Sequence, residues 1–184
     1  MAKVYAFLAE GLEEVECLAV VDVLRRSGVE VTLVSVGETK EIVGSHGIRL
    51  TADALFEETN PDQADILFLP GGMPGTKNLQ AHQGLAEAIR KAAKQGRRIA
   101  AICAAPSILG TMGLLKGRTA TCYPGFEQEL TGAQVTGAPV EVSENFITGR
   151  GAGAAMAFAL KLGTVLCGEE KAQKVGAAMC VPGL

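Results

Sequence analysis

Cys103 stands where a reactive thiol is useful. The run Arg98 to Ile102 is apolar after its first residue and reads as a buried strand, and Ala105 to Met112 reads as a helix with Pro106 in its first turn. The segment AAICAAP therefore puts Cys103 on a strand-to-helix junction, the edge at which open parallel α/β sheets bind ligands. A cysteine on so sharp a turn projects its sulfur out of the packed backbone. The unpaired amides and the dipole of the following helix favour thiolate over thiol, so a lowered pKa is expected. Taken alone, a cysteine is more often a small buried hydrophobe, and the functional reading needs company.

Two other loops supply it. LPGG, at Leu69 to Gly72, ends a second strand, and AEGLEEVE, at Ala9 to Glu16, follows a third. The backbone amides of Gly72 and Ala104 could form an oxyanion hole, because a glycine lets the backbone approach a reacting oxygen with no side chain in the way. Glu16 shares a helical face with Val20, Val23 and Leu24. Burial there would raise its pKa and keep it protonated, able to donate to a thiolate. Glu13 and Glu14 open the same helix, where its dipole favours carboxylates, and they read as N-terminal decoration.

The remaining chemistry-bearing residues read as structural. Cys17, Cys122, Cys167 and Cys180 are widely spaced, with no CxxC pair, and read as reduced packing residues. His46 and His82 fall in polar loops away from cysteines or acidic clusters at ligand spacing, so no metal site is expected. Residues 149–154, GRGAGA, satisfy the dinucleotide pattern GxGxxA, but that fingerprint belongs in an early βαβ unit, and only a helical tail follows here. No NAD or other cofactor is expected. The glycines instead suit close packing of the next helix beside the Cys103 pocket.

The elements that must position these residues alternate in type. Val4 to Ala9 and Val29 to Val36 read as strands flanking a helix from Glu13 to Ser27, which Gly28 stops. Thr39 to Thr51 reads as a hairpin or irregular excursion at a sheet edge. Ile66 to Leu69 is a buried strand, and a helix from Gly84 to Gln95 leads to the Cys103 strand. Thr119 to Thr121 and Phe146 to Thr148 are short strands, and Gly151 to Cys167 and Glu169 to Met179 are helices. This alternation places the fold in the doubly wound α/β class. With 184 residues, 48% of them apolar, and no linker-like segment, one domain spanning 1–184 is expected. Seventeen basic against twenty acidic residues give a charge of −3 with no basic block, so nucleic acid is not indicated. No apolar run approaches the roughly 20 residues a membrane helix needs, and a cytosolic location is expected.

AEGLEEVE, LPGG, AAICAAP and GRGAG, in that order and over essentially the whole length, resemble the ThiJ/PfpI superfamily, specifically its Parkinsonism-associated (DJ-one) and bacterial YajL branch. The resemblance implies a three-layer α/β/α, flavodoxin-like sandwich with a nucleophile elbow at Cys103. It implies Glu16 as carboxyl partner, Gly72 and Ala104 as oxyanion donors, and a homodimer. Protease-like members carry histidine directly after the nucleophile, whereas Ala104 stands here, so peptidase activity is not expected. A pocket histidine of the Parkinsonism-associated protein is matched by Tyr123, before Pro124. Two activities fit the same residues. In one, Cys103 attacks a reactive carbonyl such as methylglyoxal or its adducts on amines and thiols. In the other, Cys103 is a stress sensor or chaperone switch that stops at the sulfinic acid.

Overall fold

The computed structural model describes residues 1–183. The chain begins β1 (Lys3–Leu8), α1 (Glu14–Arg26) and β2 (Glu30–Ser35), followed by a hairpin of β3 (Glu41–Val43) and β4 (Arg49–Thr51), then β5 (Ala54–Leu55) and β6 (Ile66–Leu69). Next come α2 (Gly75–Ala81), α3 (Gln83–Lys94), β7 (Arg98–Ile102) and α4 (Pro106–Thr111). The last part holds β8 (Thr119–Ala120), β9 (Gln134–Val135), β10 (Val140–Ser143), β11 (Phe146–Gly149), α5 (Ala155–Cys167) and α6 (Glu169–Ala178).

Seven strands form one sheet in the order β10-β11-β7-β6-β1-β2-β5, parallel throughout except for the antiparallel β10–β11 pair. Successive residues of a strand point to opposite faces, and this alternation divides the interior into two cores. Val4, Ala6 and Leu8 of β1 face a core shared with α1, α5 and α6, whereas Tyr5 and Phe7 face one shared with α2, α3 and α4. Strand β6 divides in the same way, with Ile66 and Phe68 on one side and Leu67 and Leu69 on the other. Both faces are covered by helices, so these strands read as continuous apolar runs. The result is the expected three-layer sandwich.

Three adjacent strands, β7, β6 and β1, end side by side. Their carboxyl ends carry Cys103, the LPGG glycines and the loop into α1. The expected hairpin of residues 39–51 is present as its own two-stranded sheet. The weak signals of α2, β5, β9 and β10 escape sequence reading, because these elements are short and are ordered by tertiary packing or strand pairing rather than by a local pattern.

Candidate active site

Strand β7 ends at Ile102, and Cys103 then turns the chain with φ of 64°. A left-handed conformation in a non-glycine residue costs on the order of 1–3 kcal/mol and persists only where its surroundings hold it. The surroundings do so from both sides: the Cys103 amide donates to the Gly149 carbonyl (2.9 Å), and its carbonyl accepts from the Tyr123 amide (2.8 Å). Ala105 follows with helical dihedrals, and Pro106 opens α4. The expected elbow is formed, with Cys103 partly exposed and Ala104 buried.

Gly71 sits between Cys103 and Glu16. A methyl group on its α-carbon would fall 2.5 Å from Cys103 Cβ and 2.7 Å from Glu16 Oε2, so only glycine lets the cysteine and the carboxyl approach from opposite sides. Glu16 lies on the inner face of α1 and is fully buried. Its Oε2 accepts from the Gly71 amide at 2.9 Å, while Oε1 is buried with no hydrogen-bond partner. Glu13 fastens the two loops together. Its carboxylate accepts from the Glu16 amide (2.7 Å) as the cap of α1, and its amide donates to the Gly71 carbonyl (2.9 Å).

Burial pushes Glu16 up to about 7, with a further push from the Glu13 charge, against the hydrogen bonds of Cys103 and Gly71. Burial, followed by the charge and hydrogen bond of an ionised Glu16, pushes the Cys103 thiol up to about 12, while the amides of Gly72 and Ala104 act in the opposite direction. Beside an ionised Glu16, therefore, the helix start does not lower the thiol pKa as expected. Helix α4 has only six residues, and its first amides are outweighed by burial when Glu16 is charged. The cysteine and the acid therefore titrate as one unit, which releases a first proton near pH 7 and a second near 12.

Glu14 also departs from its expected part as decoration. It is buried, and its carboxylate accepts from the His46 amide (2.8 Å) and the Ile48 amide (3.4 Å), with His46 Nδ1 2.8 Å away. The carboxylate thus anchors the β3–β4 turn to the start of α1. Burial opposes its charge, but these donors outweigh burial and hold the pKa at about 2. His46 accordingly sits in an acidic cluster that its sequence position does not reveal. Glu13, Glu14 and His46 could converge on a metal ion, but the Glu14 oxygens already serve the 45–48 turn. His82 is a cap too, its Nδ1 accepting from the Leu85 amide at 3.0 Å. Cys17 and Cys122 are buried, Cys167 is half-buried, and Cys180 is exposed rather than packed.

A doubly wound sheet with a cysteine elbow, a buried carboxyl beside it and two glycine-lined loops defines an α/β sandwich of the nucleophile-elbow class. Residues 2–164 match the family described as DJ-1/PfpI, and the chain belongs to that family. Protein DJ-1 homolog B of Arabidopsis thaliana is 39% identical over 175 residues, 94% of this chain, which spans 40% of that relative's length. A deglycase of Pyrococcus abyssi is 35% identical over 80% of this chain and 89% of its own. The glutathione-independent glyoxalase DJR-1.2 of Caenorhabditis elegans is 32% identical over 94% of this chain and 92% of its own. The structure of oxidized DJ-1 from Toxoplasma gondii superposes with a TM-score of 0.95 at 36% identity, covering 99% of this chain and 100% of that one.

Proposed function

We propose that this protein converts small reactive carbonyls, with methylglyoxal the model substrate, through Cys103 and Glu16. The observation that carries the reading is the distribution of hydrogen-bond partners around the pair. A charge on sulfur meets two amides, those of Gly72 and Ala104, whereas a charge on Glu16 meets one amide, that of Gly71, and only the weak S–H donor of Cys103. An amide is a stronger donor than a thiol, so we place the single negative charge on sulfur and the proton on Glu16.

From that state the thiolate adds to the aldehyde carbon, and the resulting oxyanion, held by the two amides, takes the proton from Glu16. Glu16, now a carboxylate, removes the proton from the former aldehyde carbon and returns it to the neighbouring ketone carbon, while the hydroxyl proton passes from the former aldehyde oxygen to the former ketone oxygen. This internal redox step oxidises one carbon and reduces the other, leaving a lactoyl thioester on Cys103. Water hydrolyses the thioester, releasing lactate and restoring the thiol, so methylglyoxal and water are the only inputs. A pKa near 7 suits a group that must give and take protons at neutral pH. The names of the archaeal deglycase and the nematode glyoxalase support the same substrate class.

The test supplies methylglyoxal to wild type and Cys103→Ala and follows lactate by NMR. Wild-type turnover that is lost in the variant is expected; equal lactate from both ends this reading. The unpartnered Glu16 Oε1 also suits a second reading, in which peroxide oxidises Cys103 to a sulfinic acid held by that carboxyl. Mass spectrometry of a peroxide titration tests it, and oxidation of the exposed Cys180 ahead of Cys103 rules it out.

We further propose that the chain acts as one domain and as a homodimer in the cytosol. Val15 and Leu18 expose apolar surface on the outer side of α1, and Ile48 adds to it from the adjoining β3–β4 turn. The free cysteines suit a reducing compartment. Among the described residues, no helix is long and apolar enough to cross a membrane.

A further inference from the structure

Helix α1 is capped by a residue that caps seldom favour. Ser, Thr, Asp and Asn are the preferred N-caps, yet Glu13 holds the position, its Oε2 accepting from the Glu16 amide at 2.7 Å. In a capping box the acid three residues further on returns the bond by accepting from the cap's own amide. Glu16 is that acid, and its carboxyl goes elsewhere. The Glu13 amide donates to the Gly71 carbonyl (2.9 Å), and Glu16 Oε2 accepts from the Gly71 amide (2.9 Å). The box is opened by one residue, and Gly71 is clamped between its halves. The Gly71 carbonyl and the Gly72 amide share one planar trans peptide and point in opposite directions. The bond from Glu13 therefore turns the Gly72 amide away from the cap, and that amide is one of the two that meet the sulfur. Gly72 permits the contact, since a Cβ there would fall 2.3 Å from the Glu13 nitrogen.

A shorter, neutral cap would make the same backbone bonds, so what Glu13 adds is a charge. Its side chain is only 13% exposed, which limits screening by water. His46 Nδ1 comes within 4.0 Å of Oε1 but is 2.8 Å from Glu14, which it serves instead. No cation pairs with Glu16 among the described residues. The titratable groups that face it are Glu13 and Cys17 of its own helix and Cys103 across Gly71. Burial raises the pKa of Glu16 and the Glu13 charge adds to it, and the same two causes act in the same order on Cys17. On Cys103 the charge that follows burial is that of Glu16. The Glu13 charge thus weighs against a carboxylate at Glu16 more than against a thiolate at Cys103.

We infer that Glu13 is a positioning residue for the chemistry at Cys103: it clamps the Gly71–Gly72 peptide against α1, and its negative charge keeps the proton shared by the pair on Glu16. The inference rests on the roles proposed for Cys103 and Glu16, but the titration of Glu16 can be measured without turnover.

Glu13→Asp and Glu13→Asn supply caps of similar quality that differ in charge. Each is placed in a Cys103→Ala background, where Glu16 titrates without its partner and His46 is common to both. The Glu16 carboxyl carbon is followed by ¹³C NMR and assigned by its absence in Glu16→Gln. The midpoint in Glu13→Asn is expected to lie on the order of one pH unit below that in Glu13→Asp, as loss of a nearby like charge dictates. With Cys103 restored, kcat for lactate from methylglyoxal at pH 7 is expected to be about threefold or more lower in Glu13→Asn than in Glu13→Asp, with KM the same in both. Equal midpoints overturn the inference, and a kcat lost equally in both variants then marks Glu13 as a helix cap only. Equal kcat in spite of separated midpoints also overturns it. Lactate formed by wild type alongside equal midpoints leaves the reaction standing without this inference, whereas separated midpoints in a protein that forms no lactate uphold the effect of the charge on Glu16 and overturn the reaction.

Discussion

Replacing Glu16 with Gln removes a titration that opposes folding at neutral pH. Glu16 is fully buried, and its pKa rises from 4.5 to about 7 in the folded protein. The sign follows from which state holds the proton: between those two values the native chain keeps one that the unfolded chain has released, so stability falls as pH rises. The contribution is full below pH 4.5 and lost on passing about 7. Each pH unit in the window is worth about 1.36 kcal/mol, and the whole window about 3 kcal/mol. Gln is neutral throughout and can still accept from the Gly71 amide. Urea unfolding of both proteins from pH 4 to 8 isolates the titration of the Cys103–Glu16 pair, because every titrating group outside the pair is common to the two. The stability of Glu16→Gln relative to wild type is expected to rise by about 3 kcal/mol across that range. A difference that stays flat refutes the raised pKa of the pair.

Glu14 should behave with the opposite sign. Its pKa is held at about 2, so its carboxylate stabilises the fold above pH 4.5, and that contribution is lost as pH falls through about 2. Urea melts of Glu14→Gln should show a loss of about 3 kcal/mol at pH 7 that fades toward pH 2; an equal loss at both ends contradicts the anchoring of residues 45–48 by its charge. Gly71→Ala forces a methyl group between Cys103 and Glu16. A destabilisation of about 1–3 kcal/mol and slower alkylation of Cys103 by iodoacetamide are expected, and wild-type values for both would show that the site absorbs the group. Leu18→Glu places a charge on the exposed apolar side of α1. Sedimentation equilibrium should find wild type dimeric and the variant shifted toward monomer, and an unchanged dimer would locate the interface elsewhere.

The period-2 and period-3.6 patterns made most of the sandwich legible. Ile66 to Leu69 and Arg98 to Ile102 are strands with the bounds their apolar runs suggest, because strands covered on both faces carry an uninterrupted signal. The elbow was legible for a related reason: a strand ends and a proline-opened helix begins within four residues. Glu16 could be singled out from the apolar face it shares with Val20, Val23 and Leu24. Its neighbours could not. Glu13 and Glu14 differ from Glu16 only in position along one helical turn, and Glu14 is buried by a hairpin more than 30 residues away, a contact no local pattern encodes. Gly71 and Gly72 stand together in LPGG, yet only the packing distances show that Gly71 is what separates the sulfur from the acid. The sign of the Cys103 shift escapes sequence reading because helix dipole and burial act against each other, and sequence position reveals the first while burial emerges only on folding.

The placement of charge within the Cys103–Glu16 pair is tested most directly by the ultraviolet absorbance of the thiolate near 240 nm. The signal is followed from pH 4 to 10 as the difference between wild type and Cys103→Ala. The pair loses its first proton near pH 7, and because the proposed state takes that proton from sulfur and leaves the other on Glu16, a rise centred there is expected. No rise below pH 9 would put the charge on the carboxylate and the proton on sulfur, and would contradict the proposed resting state of the nucleophile.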